Sequence, residues 1–223
     1  VPLRVIAALF AVAALLACAG ATPPPSVRLP PEGSYPFRTA NFDSAISWGG
    51  EERVRMRTWV APAGILEEST RDGKVSFVLQ RGAEIFAWDL GARGGLRGPR
   101  GRGASLSGAP DTLDVLRELP LDLDPKNSRF AGFQRLGGYR VGRYDFRWRH
   151  PVNRMWIEGT VWILENRPFP VRYVHRGFGG TYEIRNSGLK FDLEIPPGFL
   201  APPEDVSFRR LPAMAAPRAP GRE

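Results

Sequence analysis

The chain has 223 residues, 31 Lys and Arg against 23 Asp and Glu, a formal charge of +8, and 43% apolar residues. This is the composition of a folded basic protein rather than a disordered one, and its single cysteine excludes an intramolecular disulfide framework. Arg4 is followed by the apolar run Val5 to Ala17, with small residues at its exit. That pattern describes an export signal, and the run falls short of the roughly 20 apolar residues that a bilayer-spanning helix needs.

Leu15-Leu16-Ala17-Cys18 resembles the lipobox of bacterial lipoproteins, in which Cys18 becomes the diacylated first residue of the mature chain. The other reading is plain cleavage at the small-x-small exit Ala17-Cys18-Ala19, which discards the cysteine and releases a soluble protein. In the lipoprotein reading residues 1–17 are the signal peptide, and the membrane holds the protein by acyl chains, each buried methylene contributing about 0.8 kcal/mol. Ala19 in place of an Asp after the cysteine implies delivery to the outer membrane, facing the periplasm. Residues 18–36 contain Pro23-Pro24-Pro25, Pro30-Pro31 and Gly33 and read as an extended tether.

Residues 37–211 then form one domain, long enough for a sizeable core. Val54, Met56, Thr58 and Val60 alternate with Arg53, Arg55, Arg57 and Trp59, the period of a strand with one wet face. Turn signals at Pro62-Ala63-Gly64, Asp72-Gly73 and Arg81-Gly82 divide off strands at 65–70, 74–80 and 84–90. Residues 91–110 hold Arg93, Arg97, Arg100 and Arg102 among glycines with no acid before Asp111, and read as a flexible solvated loop that can contact an anionic surface. The tail adds Arg209, Arg210, Arg218 and Arg222, with 212–223 read as disordered. An export signal makes anionic lipid, and not nucleic acid, the available polyanion.

Asp111-Thr112 opens a short helix through Leu119, with Leu113 and Leu116 on one face and Pro120 at its end. A second meander follows: a hairpin of 139–149 and 154–165, then strands at 172–176, 180–185 and 189–194. Eight or nine antiparallel strands with one or two short helices predict a mainly β fold, a curved sheet forming a half-open barrel. Tyr144, Phe146 and Trp148 share one strand face. On the next strand Trp156 and Trp162 lie opposite Met155, Ile157, Val161 and Ile163, so both faces carry large apolar groups. These five aromatics are the candidate lining of an apolar ligand surface, or else part of a covered core.

No catalytic constellation is evident. His150 and His175 are not at metal-ligand spacing, Asp122 and Asp124 have no third ligand nearby, and no serine sits in a nucleophile-elbow context. The reading is a non-enzyme without metal or cofactor.

The segments Gly142-x-Tyr144-x-Phe146, Gly159-x-Val161-Trp162-Ile163, Arg167-Pro168-Phe169-Pro170-Val171-Arg172-Tyr173, Gly179-Gly180-Thr181-Tyr182-Glu183 and Phe191-x-Leu193-Glu194-Ile195-Pro196-Pro197-Gly198-Phe199 resemble the bacterial lipoprotein-localisation superfamily, the LolA/LolB-like half-barrel proteins. Leu164 and Glu165 depart from its pattern, standing where an acid and a Gly-rich turn are expected. The resemblance implies binding of acyl chains or lipid-modified partners in the hollow of the sheet. The rival reading is a non-enzymatic interaction or structural domain of an envelope assembly, with a fully packed sheet and a protein partner.

Overall fold

The computed structural model describes residues 35–99, 112–113, 115–116, 123–149, 154–177, 180–196 and 198–211. Cys18, Arg100, Arg102, His150, the tether up to residue 34 and the tail from 212 lie outside the described residues.

One sheet of twelve strands makes up almost the whole of it. A first meander comprises β1 (Ala40–Trp48), β2 (Glu51–Ala61), β3 (Gly64–Arg71), β4 (Lys74–Arg81), β5 (Glu84–Asp89) and β6 (Gly94–Pro99). A second comprises β7 (Ser128–Leu136), β8 (Tyr139–Arg149), β9 (Trp156–Leu164), β10 (Pro170–Gly177) and β11 (Gly180–Phe191), and β12 (Ser207–Arg210) ends the described chain. The spatial order is β12-β6-β5-β4-β3-β2-β1-β11-β10-β9-β8-β7. Every pairing is antiparallel except β12 with β6. The two meanders meet at the centre, where β1 pairs with both β2 and β11, and the curved sheet does not close.

The class of fold is therefore the expected one, with more strands than the sequence patterning revealed. β1 is absent from that patterning because its buried positions, Ala40, Phe42, Ser44 and Ile46, include small and polar side chains. β6 corrects the reading of 91–110 as a loop throughout: Gly94–Pro99 is a paired strand, and packing requires the glycine at position 95. A Cβ on Gly95 would stand 2.7 Å from the Phe208 ring and 2.8 Å from the Ala87 carbonyl. The expected strands 180–185 and 189–194 are replaced by the single strand β11, which runs through both and ends at Phe191, so 192–194 lie outside it. Tight turns fall where Asp72-Gly73 and Gly137-Gly138 both adopt positive φ, the geometry that two-residue hairpin turns require.

The main core lies on the inner face. Ala40, Phe42, Ile46, Val54, Met56, Val60, Tyr144, Phe146, Val161, Ile163, Phe169, Tyr173, Tyr182 and Ile184 project there from β1, β2 and the second meander. A short helix that includes Thr112, Leu113, Val115 and Leu116 adds its buried side chains to this cluster. Thr112, expected as a cap, instead anchors the helix to the sheet. Its hydroxyl lies 2.9 Å from that of Ser44 and donates to Asn186 Oδ1 at 2.8 Å. Ser44 also donates to Asn186 Oδ1 at 2.7 Å, while Asn186 Nδ2 donates to the Pro170 carbonyl at 2.8 Å. Buried polar groups of this kind are tolerated because each has a partner, and they fix one docking position.

The outer face of the first meander carries its own cluster, with Leu66, Leu79, Phe86 and Leu200 buried among Trp59, Phe77, Trp88, Ile195 and Phe208. The segment leading to β12 lies across this face: Phe199 meets Trp59 edge-on at 5.4 Å, and Phe208 meets Phe86 at 5.3 Å.

Candidate functional site

Side chains one strand apart in register share a face, so the pairing traces rows across the inner surface. One row runs Phe42, Thr58, Glu67, Val78, Ala87, Leu96 and Arg209, from β1 through β6 to β12. The next runs Asn186, Ser44, Met56, Ser69, Ser76 and Asp89. Both rows begin inside the sealed core and leave it beyond β2. Phe42 and Thr58 are fully buried, whereas Leu96 is 39% exposed.

Where the rows emerge they line a groove of about 370 Å³, within the range of small-molecule sites. Val54, Met56, Val78, Ala87 and Leu96 supply apolar surface, and Glu67, Ser69, Ser76 and Asp89 supply polar groups. The Ser76 hydroxyl donates to Asp89 Oδ1 at 2.6 Å, and that of Ser69 to the Ser76 carbonyl at 3.4 Å. Thr58, which faces Glu67, has a buried hydroxyl without a hydrogen-bond partner among the described residues. The groove thus offers an apolar floor beside a strip of acceptors and hydroxyls, a surface suited to an amphiphile whose head donates hydrogen bonds.

The five aromatics expected to line an apolar surface are divided between the two faces. Tyr144 and Phe146 are buried on the inner face in the cluster that contains Leu113, Val115 and Leu116, and Trp148 packs at its margin. Phe146 stacks on Tyr173 across Gly159, with ring centroids 5.7 Å apart. Trp162 is on the outer face with Val141 and Val171, 9% exposed, its indole Nε1 buried without a hydrogen-bond partner among the described residues. Arg172 lies 4.7 Å and Arg143 5.9 Å from its ring. Trp156, 53% exposed, lies under Arg147 at 4.4 Å.

Most arginines of the outer face are committed to acids. Glu183 accepts from Arg172 at 2.7 Å and from Arg185 at 2.6 Å. Burial alone would raise the Glu183 carboxyl, but the hydrogen bonds from Arg185 and Arg172 outweigh it and hold the carboxyl below its ordinary value. Arg143 pairs with Asp145 at 2.9 Å and Arg57 with Asp43 at 2.7 Å. On the inner face His175 stands between Tyr173 and Tyr182, with ring centroids at 5.6 and 5.3 Å, and burial pushes its pKa down. Among the described residues no group of three or more His, Cys, Asp or Glu is placed to hold a metal ion.

Sequence reasoning did not find the groove, because the first meander reads inside out. Leu66, Phe77, Leu79, Phe86 and Trp88 make the outer face of β3 to β5 the more apolar one, while the groove face carries Ser69, Ser76 and Ala87. The available signal was the juxtaposition of two differently apolar faces on successive hairpin strands.

The arrangement is thus an open β half-barrel, sealed at one end and grooved at the other. No family model and no curated protein matches the sequence. Among solved structures, the chain is similar to PNGF-II at 11% identity and TM-score 0.39, over 78% of this chain and 32% of that one. It is similar to MucB at 10% identity and TM-score 0.44, over 78% of this chain and 60% of that one. It is similar to the lipoprotein LppX of Mycobacterium tuberculosis at 12% identity and TM-score 0.42, over 72% of this chain and 90% of that one. The chain spans about a third of PNGF-II and three-fifths of MucB.

Proposed function

We propose that the protein is a membrane-tethered, non-enzymatic envelope lipoprotein that binds an acyl-chain amphiphile in the groove between β2 and β6. The observation that carries this reading is the groove itself, an apolar floor of Val78, Ala87 and Leu96 on the inner face that continues through the buried Val54 and Met56 into the core. Burying a chain there gains about 25 cal/mol per Å² of apolar area. Glu67 and Asp89 disfavour a carboxylate head and suit one with hydroxyls, so a monoacylglycerol is a better probe than a fatty acid. The lipid anchor at Cys18 rests on the lipobox resemblance, and failure of Cys18→Ala to abolish palmitate labelling would refute it.

The binding experiment titrates a fluorescent monoacylglycerol and the matching fatty acid into the parent chain and into Ala87→Phe, which fills the groove from its floor. The expected result is saturable binding that favours the monoacylglycerol and weakens about tenfold or more in the variant, with the melting temperature unchanged. Absence of binding by either probe overturns the reading in favour of a protein-interaction domain. That second reading has its own support in Trp156, which offers an exposed aromatic surface beneath Arg147.

A further inference from the structure

β12 brings distant arginines together. Phe208 packs over Gly95 and against Phe86 and Trp88, and the backbone is fixed by Ser207 N–H to the Arg93 carbonyl at 2.9 Å and Leu211 N–H to the Arg97 carbonyl at 2.7 Å. The parallel register places Arg210 beside Arg97 and Arg209 beside Leu96. Arg93, Arg97, Arg209 and Arg210 are all exposed and make no ion pair with the described residues, in contrast to the arginines held by Glu183, Asp145 and Asp43. Leu96 and Leu211, 39% and 38% exposed, lie on the groove side of this edge with Arg209, Leu211 over Gly98, while Arg97 and Arg210 lie on its other side.

We infer that the β6–β12 ledge is a docking edge for an anionic lipid surface, with Arg93, Arg97, Arg209 and Arg210 at the headgroups and Leu96 and Leu211 at the interface. Arginine near an anionic leaflet contributes about fivefold in binding apiece, and that attraction is available only when no carboxylate already neutralises the guanidinium. Exposed leucines beside Arg209 suit a bilayer interface. A single-stranded nucleic acid would instead be met by aromatic stacking platforms, and Phe208, the ledge's aromatic, is packed against Phe86 and Trp88. The ledge closes the groove's outer side at Leu96, so a docked membrane would face the open lip. Docking itself does not require that the groove bind anything.

The test is co-sedimentation of the full-length chain carrying Cys18→Ala with phosphatidylcholine vesicles, with and without phosphatidylglycerol. The apolar run near the N-terminus contributes to both vesicle types, so the difference between them reads the ledge. Phosphatidylglycerol should strengthen binding at low salt and lose its effect at high salt. Arg209→Ser with Arg210→Ser should reduce that gain about 25-fold, and Arg209→Lys with Arg210→Lys should restore it. Arg93→Ser with Arg97→Ser, immediately before and within the strand paired from both sides, gives the same reading should the β12 variant fail to fold. Ala87→Phe should leave the gain intact, which separates this edge from the groove. An undiminished gain in both serine variants overturns the proposal, as does binding of single-stranded RNA as tight as that of the anionic vesicles.

Discussion

Gly159 shows what a single position contributes to this sheet. A Cβ there would stand 2.7 Å from Phe146 Cζ and 2.9 Å from His175 Cα, besides meeting the Val174 carbonyl. Its bare backbone lets the Phe146 ring lie across β9 to reach Tyr173, so an aromatic on one strand covers a glycine on the next. Gly159→Ala should therefore destabilise by about 3 kcal/mol in urea unfolding, since neither backbone nor ring has room to yield. His175 carries a pH dependence. Its pKa is below the ordinary 6.5 when folded, so above about that pH both states are neutral and stability is complete. As pH falls below 6.5 the unfolded chain takes up a proton that the buried imidazole refuses, and stability declines. Urea midpoints compared at about pH 7.5 and about pH 5.5 should show this decline, and His175→Phe should reduce it. Glu183, held low in the fold, adds a further loss only as pH drops below its ordinary 4.5.

Two elements are placed by tertiary contacts rather than by their own propensity. The short helix is fixed by the Ser44, Thr112 and Asn186 side chains, which join β1, the helix and β11 at a buried point. Asn186→Ala would strand the Pro170 carbonyl and remove the shared acceptor, at a cost of about 2–3 kcal/mol measured by denaturant unfolding. Thr112→Val should cost less, because Ser44 still reaches Asn186. β12 depends on the bare face of Gly95 in the same way that Phe146 depends on Gly159. Gly95→Ala should raise amide exchange at Ser207 and Leu211, whose N–H groups bond to the Arg93 and Arg97 carbonyls, while leaving β8 to β11 protected.

On the scale of the whole molecule the sheet has two ends with different roles. The second meander and the helix form a sealed core, and β3 to β6 carry the groove. Phe146→Ala should consequently lower stability by about 3–5 kcal/mol with little effect on the intrinsic affinity of the folded groove for a monoacylglycerol. Ala87→Phe should do the reverse. Paired thermal melts and fluorescence titrations of the two variants distinguish this division from a single continuous pocket, in which both substitutions would weaken binding.

The strand period of 53–60, the hairpins of the first meander, the long hairpin of 139–165 and the small helix were legible in the sequence because they depend on local alternation and turn chemistry. Those features sufficed for a mainly β, curved antiparallel sheet. The central strand β1 was not legible, since Ser44 occupies a buried position only by virtue of Asn186 and Thr112, which lie 142 and 68 residues away along the chain. β6 was hidden by its three glycines, of which Gly95 makes sense only beneath Phe208. The choice of which face of β3 to β5 is covered was also beyond local pattern: both faces are apolar enough, and it is the return of residues 199–208 across the outer one that leaves the inner one open as a groove. Sequence by itself determined the alternation that makes strands. Tertiary structure decided which aromatics were sealed and where a ligand can enter, because long-range packing determines which side of an alternating strand meets solvent.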